Sequence, residues 1–142
     1  MQADPGAQRM LDMPETSYMN DEQLAFFQGR LLAERAEVET HLEEVRKAIA
    51  DNERSGDDLD RAAVEEELRL LLRQADRETR LLRKIAKALR RIEEGDYGYC
   101  EETGQPIGLG RLLLRPTADL CLEAKERQEQ REHHFSKSRG EA

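Results

Sequence analysis

Two long, nearly uninterrupted periodic stretches decide what this chain can fold into. From Asp21 to about Asn52 there is no proline and a single glycine, Gly29. Within it Leu24, Phe27, Leu31, Val38, Leu42, Val45 and Ile49 recur at steps of three, four or seven. Those steps return to one side of a 3.6-residue helix, so the seven form one apolar stripe. Arg61 to Glu94 repeats the pattern with Leu68, Leu71, Ala75, Leu82, Ile85, Leu89 and Ile92, a near-heptad interrupted by Glu78. Between the two, Ser55, Gly56 and a cluster of acids mark a turn. Each helix is roughly 45 Å long at 1.5 Å per residue. Two such helices on a short tether bury their stripes only by folding back on each other. The prediction is an antiparallel coiled-coil hairpin over 20–94 with its tip at 51–62.

The flanks carry different signals. Residues 1–19 hold two prolines and no sustained period, which predicts a flexible arm. Asn20 is placed to cap the first helix, with Gln23 completing a capping box. Beyond Gly95, the run from Tyr97 to Pro116 contains Gly98, Gly104, Pro106, Gly108 and Gly110, as short strands and turns require. Thr117 can cap a last helix from Ala118 to about His134, because Pro116 cannot continue a helix from upstream. The tail, 135–142, is expected to fray. The fold class is therefore mainly α: the hairpin, then a small zinc-ribbon-like α+β head over 95–134 with a C-terminal helix.

Composition narrows the function. Of 142 residues, 38% are charged, 37% hydrophobic and 4% aromatic, so little apolar mass is left to wall off a substrate pocket. No nucleophile–base spacing and no glycine-rich phosphate loop is visible, and His41 reads as a surface residue. The chain is not expected to be an enzyme. There is no apolar run of membrane-spanning length and no secretion-signal pattern, so a cytoplasmic protein with no membrane partner is expected. A net charge of −8 and few aromatic platforms disfavour binding to DNA.

Charge position says more than the total. Residues 63–92 carry nine bases and five acids inside an acidic chain. Arg77, Arg80, Lys84, Lys87 and Arg91 follow steps of three and four and share a helical face, either a solvated exterior or a surface for an anion or acidic partner. At the tip, Asp57, Asp58 and Asp60 are either turn acids or carboxylates delivered to a metal or basic group inside a partner. In the head, Cys100 and Thr103, then Cys121 and Ala124, stand where a zinc ribbon has two C-x-x-C pairs. Two thiolates are an incomplete zinc set, and His133 and His134 lie more than three turns past Cys121 on the same predicted helix. No metal and no structural zinc is expected.

Three stretches resemble the DksA/TraR family of bacterial RNA polymerase-binding regulators. They are Asp57-Asp-Leu-Asp60-Arg-Ala62 followed by Glu65-Glu66-Glu67, then Asp96-Tyr-Gly-Tyr-Cys100, and Arg115-Pro-Thr-Ala-Asp-Leu-Cys121. The resemblance runs from about Tyr18 to Gln130, and in length it fits the DksA branch rather than the short TraR-type members. It implies a monomeric regulator that inserts its hairpin into the secondary channel of RNA polymerase and modulates initiation with ppGpp in starvation, without sequence-specific DNA binding. On the family's tip motif, Asp57 and Asp60 act near the polymerase active site and Ala62 keeps the tip small. On its alarmone positions, Lys84, Arg115 and Lys125 contact ppGpp, with Arg77 and Leu81 beside them. Thr103 and Ala124 depart from the family's four cysteines, which resembles its cysteine-poor, zinc-independent type. Thr103 hydrogen bonding and packing of Ile107, Leu109, Leu112, Leu114 and Leu120 would then take over the metal's part. Two other readings stay open: a Gre-like transcript-cleavage factor, and a plain coiled-coil adaptor.

Overall fold

The computed structural model describes residues 4–54 and 61–140. Five α-helices and one 3-10 turn, Glu15–Ser17, are found among them: α1 (Pro5–Leu11), α2 (Asp21–Arg54), α3 (Arg61–Glu94), α4 (Leu109–Leu114) and α5 (Leu122–Gly140). The chain divides into two compact units: Gly29–Lys87, and the segments on either side of it, up to Gln28 and from Ala88 onward.

The Gly29–Lys87 unit is the expected antiparallel pair. Leu31, Val38, Leu42 and Val45 of the α2 stripe are buried, and so is Ile85 of α3. The side-chain contacts fix the register. His41 Nδ1 bonds Glu78 Oε1, and Asn52 Nδ2 donates to Glu67 Oε2 at 3.4 Å. Eleven residues forward on α2 thus match eleven back on α3, about three helical turns on each arm. Glu78, the residue that interrupts the heptad, meets His41, whose Nε2 lies 3.2 Å from Gln74 Nε2. A ring protonated at Nδ1 satisfies both neighbours, donating to the carboxylate and accepting from the amide. The break in the apolar repeat is therefore a polar layer that bridges the arms.

The other unit gathers both chain ends around Phe27, Tyr97 and Leu112, each at most 1% exposed. The Phe27 and Tyr97 rings are tilted with centroids 5.6 Å apart. The expected capping box forms at the start of α2: Asn20 Oδ1 accepts from Gln23 N at 2.8 Å. Gln23 Oε1 reaches back to Met19 N, also at 2.8 Å, rather than to the cap residue's own amide. That amide is already bonded to the Ser17 carbonyl at 2.9 Å. The box is displaced by one residue for that reason.

Three expectations change here. The N-terminal arm contains α1, capped by Asp4, whose carboxylate accepts from Gly6 N at 2.9 Å, and α1 packs on α4 with Met10 buried. The short strands expected over 97–116 reduce, among the described residues, to one antiparallel bridge between Tyr99 and Pro106. The last helix begins at Leu122 rather than Ala118, and it continues past Phe135 to Gly140. Its late start has a cause: the Asp119 carbonyl accepts from Glu101 N at 2.9 Å and the Leu120 carbonyl from Arg111 Nε at 3.1 Å. Carbonyls turned to other segments cannot serve a helical ladder, which opens instead with Lys125 N on Cys121 O.

Candidate functional site

The head begins where α3 ends. Gly95, at φ +83, supplies the left-handed residue that closes the helix, and the amides of Asp96 and Tyr97 both turn back to the Arg91 carbonyl. The Arg91 side chain then knits the junction, donating to the carbonyls of Asp96 at 3.0 Å and Tyr99 at 2.7 Å and pairing with Glu101 at 3.3 Å. Arg91 therefore leaves the proposed basic stripe. Its helical spacing matched Arg77, Arg80, Lys84 and Lys87, but its guanidinium is spent on backbone carbonyls.

Cys100 sits in the first tight turn of the head. Its amide donates to the Gln105 carbonyl at 2.8 Å, and its carbonyl accepts from Gly104 N at 2.9 Å. Thr103 Oγ1 accepts from Gln105 N at 3.2 Å and lies 3.8 Å from Cys121 Sγ. Burial pushes the Cys100 thiol up. The hydrogen bond from the Thr103 hydroxyl, helped by backbone N–H groups of Cys121, Thr103 and Glu102, outweighs burial and brings it down to about 7. Ala124, at the remaining position of the pattern, is fully buried on α5 and offers no donor.

The packing expected around this turn is largely present, with one exception. Ile107 and Leu112 are buried, and Leu109 and Leu120 are half-buried. Leu114 is 90% exposed. It is the last residue of α4, a helix concealed in the sequence because Gly108 and Gly110 flank its start. Gly108, at φ +100, is its N-cap.

The three positions matched to alarmone contacts are split between the two units. Arg115, at the C-cap of α4, and Lys125, in the first turn of α5, line one groove of the head with Leu114, Leu122, Glu126 and Glu129. Lys84 belongs to the hairpin unit, exposed on α3, with Leu81 and Arg77 one and two turns N-terminal on the same face. Arg111 also lines the head groove and was missed in the sequence, where nothing distinguishes it from the other surface arginines. Asp57 and Asp60 lie outside the described residues. Ala62 is exposed in the first turn of α3.

Residues 23–92 match the family model of the DnaK suppressor protein DksA N-terminal domain, and residues 95–130 match that of the prokaryotic dksA/traR C4-type zinc finger. A protein of Caulobacter vibrioides named RNA polymerase-binding transcription factor DksA is 49% identical over 119 residues, 81% of this chain and 82% of that protein. The protein of the same name from Escherichia coli is 42% identical over 132 residues, covering 92% and 87% of the two chains. The solved structure of transcription factor DksA2 from Pseudomonas aeruginosa superposes with a TM-score of 0.81 at 50% identity, over 89% of this chain and 98% of that one.

The zinc-finger match overturns the expectation of a head with no structural zinc, since the head as a whole is that of a C4-type zinc finger. The departure at two ligand positions does not remove the chain from that class of domain. The donors present do not fit a four-thiolate site: Cys100 and Cys121 are the two thiols, Thr103 and Ala124 stand at the other places, and no cluster of three His, Cys, Asp or Glu suited to a metal occurs among the described residues. No helix among them is long and apolar enough to cross a membrane. With the hairpin, the zinc-finger head and both family models in chain order, this chain belongs to the DksA/TraR family.

Proposed function

We propose that this protein is a transcription factor that binds RNA polymerase, placing its hairpin in the enzyme's secondary channel and modulating initiation together with ppGpp. The observation that carries the reading is the shared name of relatives 42–49% identical over most of the chain, RNA polymerase-binding transcription factor DksA. The reading is of a cytoplasmic, non-enzymatic monomer, one copy per polymerase, with no sequence-specific DNA contact.

The chain's physical features suit that task. α2 and α3 each have 34 residues, which is about 51 Å of helix, enough to carry side chains deep into a channel. In this reading Asp57 and Asp60 act at the far end, where a carboxylate in a confined site of reduced dielectric perturbs nearby cationic or metal-linked groups far more than in water. Ala62 adds little bulk beside them. Lys84, Arg115 and Lys125 hold the pyrophosphate groups of ppGpp by charge-assisted hydrogen bonds, with Arg77 and Leu81 adjoining on α3.

The test is in vitro transcription from a promoter with a short-lived open complex, comparing the wild type with Asp60→Asn, each with and without ppGpp. Inhibition that ppGpp deepens, lost in Asp60→Asn while polymerase binding persists, is the expected result. No effect from folded wild-type protein would return the chain to the adaptor reading.

A further inference from the structure

The head groove carries more than a binder of phosphates needs. Its volume, about 640 Å³, is that of a small-molecule site, and three cations line it: Arg111, Arg115 and Lys125. Arg111 Nε is bonded to the Leu120 carbonyl at 3.1 Å, which anchors the guanidinium and leaves its other N–H groups to a ligand. Two carboxylates, Glu126 and Glu129, share the groove with these cations. Among the described residues none of the five is ion-paired, whereas the neighbouring α5 arginines are: Arg127 and Arg131 reach Glu102 at 3.9 and 3.6 Å.

A carboxylate among unpaired cations repels any phosphate that those cations attract. It is useful only if the ligand brings N–H donors as well as phosphates. Guanine presents two adjacent donors on its base-pairing edge, N1–H and the N2 amine, and one carboxylate can accept both. Adenine and cytosine set an acceptor beside their amine, and uracil flanks its one N–H with carbonyls, so none of them offers that pair. Position separates the two glutamates. Lys125 and Glu129 are neighbours on the helix surface, four residues and about 6 Å of rise apart, which leaves room for a ribose between a phosphate at one and a base at the other. Glu126 follows Lys125 directly and lies level with the phosphate end. Leu114 and Leu122, 90% and 59% exposed, supply the apolar surface that such a site also needs.

We infer that Glu129 is the residue of the head groove that selects guanine, its carboxylate accepting N1–H and the N2 amine of the base while Arg111, Arg115 and Lys125 hold phosphate groups. The inference rests on the ppGpp reading above and adds to it a residue that reads the base. It also gives Arg111 a task in the groove, as a third phosphate contact beside Arg115 and Lys125.

In vitro transcription with polymerase and the full chain tests this, scored as the part of the nucleotide response that requires this protein. ppGpp is compared with its inosine analogue, which lacks the N2 amine, and with its adenine analogue. The wild type is expected to need at least about tenfold more of either analogue. Glu129→Gln puts one acceptor and one donor where there were two acceptors, the complement of the adenine edge. It is expected to raise the ppGpp concentration required about tenfold and to lower that of the adenine analogue. Charge alone predicts the opposite sign for ppGpp, because removing a carboxylate from a cationic groove strengthens binding of every phosphate ligand. Glu132→Gln, exposed on the same helix and outside the groove, should change neither value. Competition binding to polymerase without nucleotide should give the same affinity for both variants as for the wild type. A wild type that responds equally to all three nucleotides overturns the inference and leaves the ppGpp reading standing. So does a guanine preference that survives Glu129→Gln, or a Glu129→Gln protein that no longer binds polymerase. A wild type with no ppGpp response removes the ppGpp reading itself, and the inference falls with it.

Discussion

Inside the head, the Tyr97 hydroxyl donates to the Pro116 carbonyl at 2.7 Å, and both residues are buried. This bond joins the two head motifs that carry the family resemblance. A second bond, from the amide of Glu101, just past the first motif, to the Asp119 carbonyl within the second, reinforces the link. Removing the hydroxyl in Tyr97→Phe leaves a buried carbonyl short of its partner at nearly unchanged volume. The expected loss is about 1–3 kcal/mol, read as a lower midpoint in urea unfolding. A change below a few tenths would mean that the carbonyl finds another donor at no cost.

Gly98 is the position in the head least tolerant of a side chain. Its φ is +93, and a Cβ built there would lie 2.6 Å from both Cγ and Sδ of Met19. The Met19 backbone is held, with φ +55 and its amide bonded to Gln23, so the collision can be relieved only by rotation of the Met19 side chain. Gly98→Ala is therefore expected to cost about 1–3 kcal/mol in backbone strain, with the collision in addition. Combining it with Met19→Ala should recover the collision part alone. Full recovery in the double variant would show that the φ requirement is weaker than the geometry implies.

The His41–Glu78 bond across the arms predicts a measurable coupling. Glu78 has a side chain only 15% exposed, whereas His41 is 46% exposed, so the pair is partly shielded. A double-mutant cycle of His41→Ala and Glu78→Ala should give a coupling of about 0.5–1 kcal/mol, decreasing with salt. Additive single effects would reduce the layer to two independent surface residues.

How much of this was readable in advance follows from what kind of signal each part leaves. The hairpin was legible because burial of a stripe leaves a period in the sequence. α2 and α3 begin where Asn20 and the acidic turn place them, and five of the seven α2 stripe residues are buried. The head was legible as a turn-rich segment but not in its helix boundaries. The start of α5 is set by where the carbonyls of Asp119 and Leu120 point, and those bonds reach Glu101 and Arg111 from other segments. Long-range backbone pairing leaves no local mark. The same holds for Arg91, whose spacing matches the basic stripe and whose partners are carbonyls beyond the helix end. The zinc-ribbon character of the head was legible, but the expectation of no structural zinc gave two ligand positions more weight than the whole segment 95–130.

The Cys100 thiol makes a pH prediction whose sign is fixed by its hydrogen bonds. Its folded value, about 7, lies below the unfolded value of roughly 8.5, because Thr103 and backbone amides stabilise the thiolate. The thiolate therefore contributes stability that is fully present above the unfolded value and is lost as pH falls through about 7. In chelator, ultraviolet thiolate absorbance should show one thiol titrating near neutrality, and Thr103→Val should move that titration upward by removing the hydroxyl donor. The stability difference between wild type and Cys100→Ser should grow from pH 6 to pH 9 by the same linkage. An unchanged titration in Thr103→Val would assign the stabilisation to the amides alone.

Lys125 offers the sharpest separation of alarmone binding from docking. It lies in the first turn of α5, half-buried, and its ammonium donates to Gln128 Oε1 at 3.1 Å, a contact within the same helix one turn away. If Lys125 grips a pyrophosphate group, Lys125→Ala removes one charge-assisted contact, about 1.5–3 kcal/mol, or roughly ten- to hundredfold in the ppGpp concentration required. Polymerase affinity without ppGpp should be nearly unchanged. Titrating ppGpp into transcription reactions at saturating protein measures the first quantity, and competition binding to polymerase measures the second. Lys125→Arg keeps the charge and should retain most of the response. Equal loss of both quantities in Lys125→Ala would make the residue a docking contact, and the alarmone reading would then rest on Lys84 and Arg115.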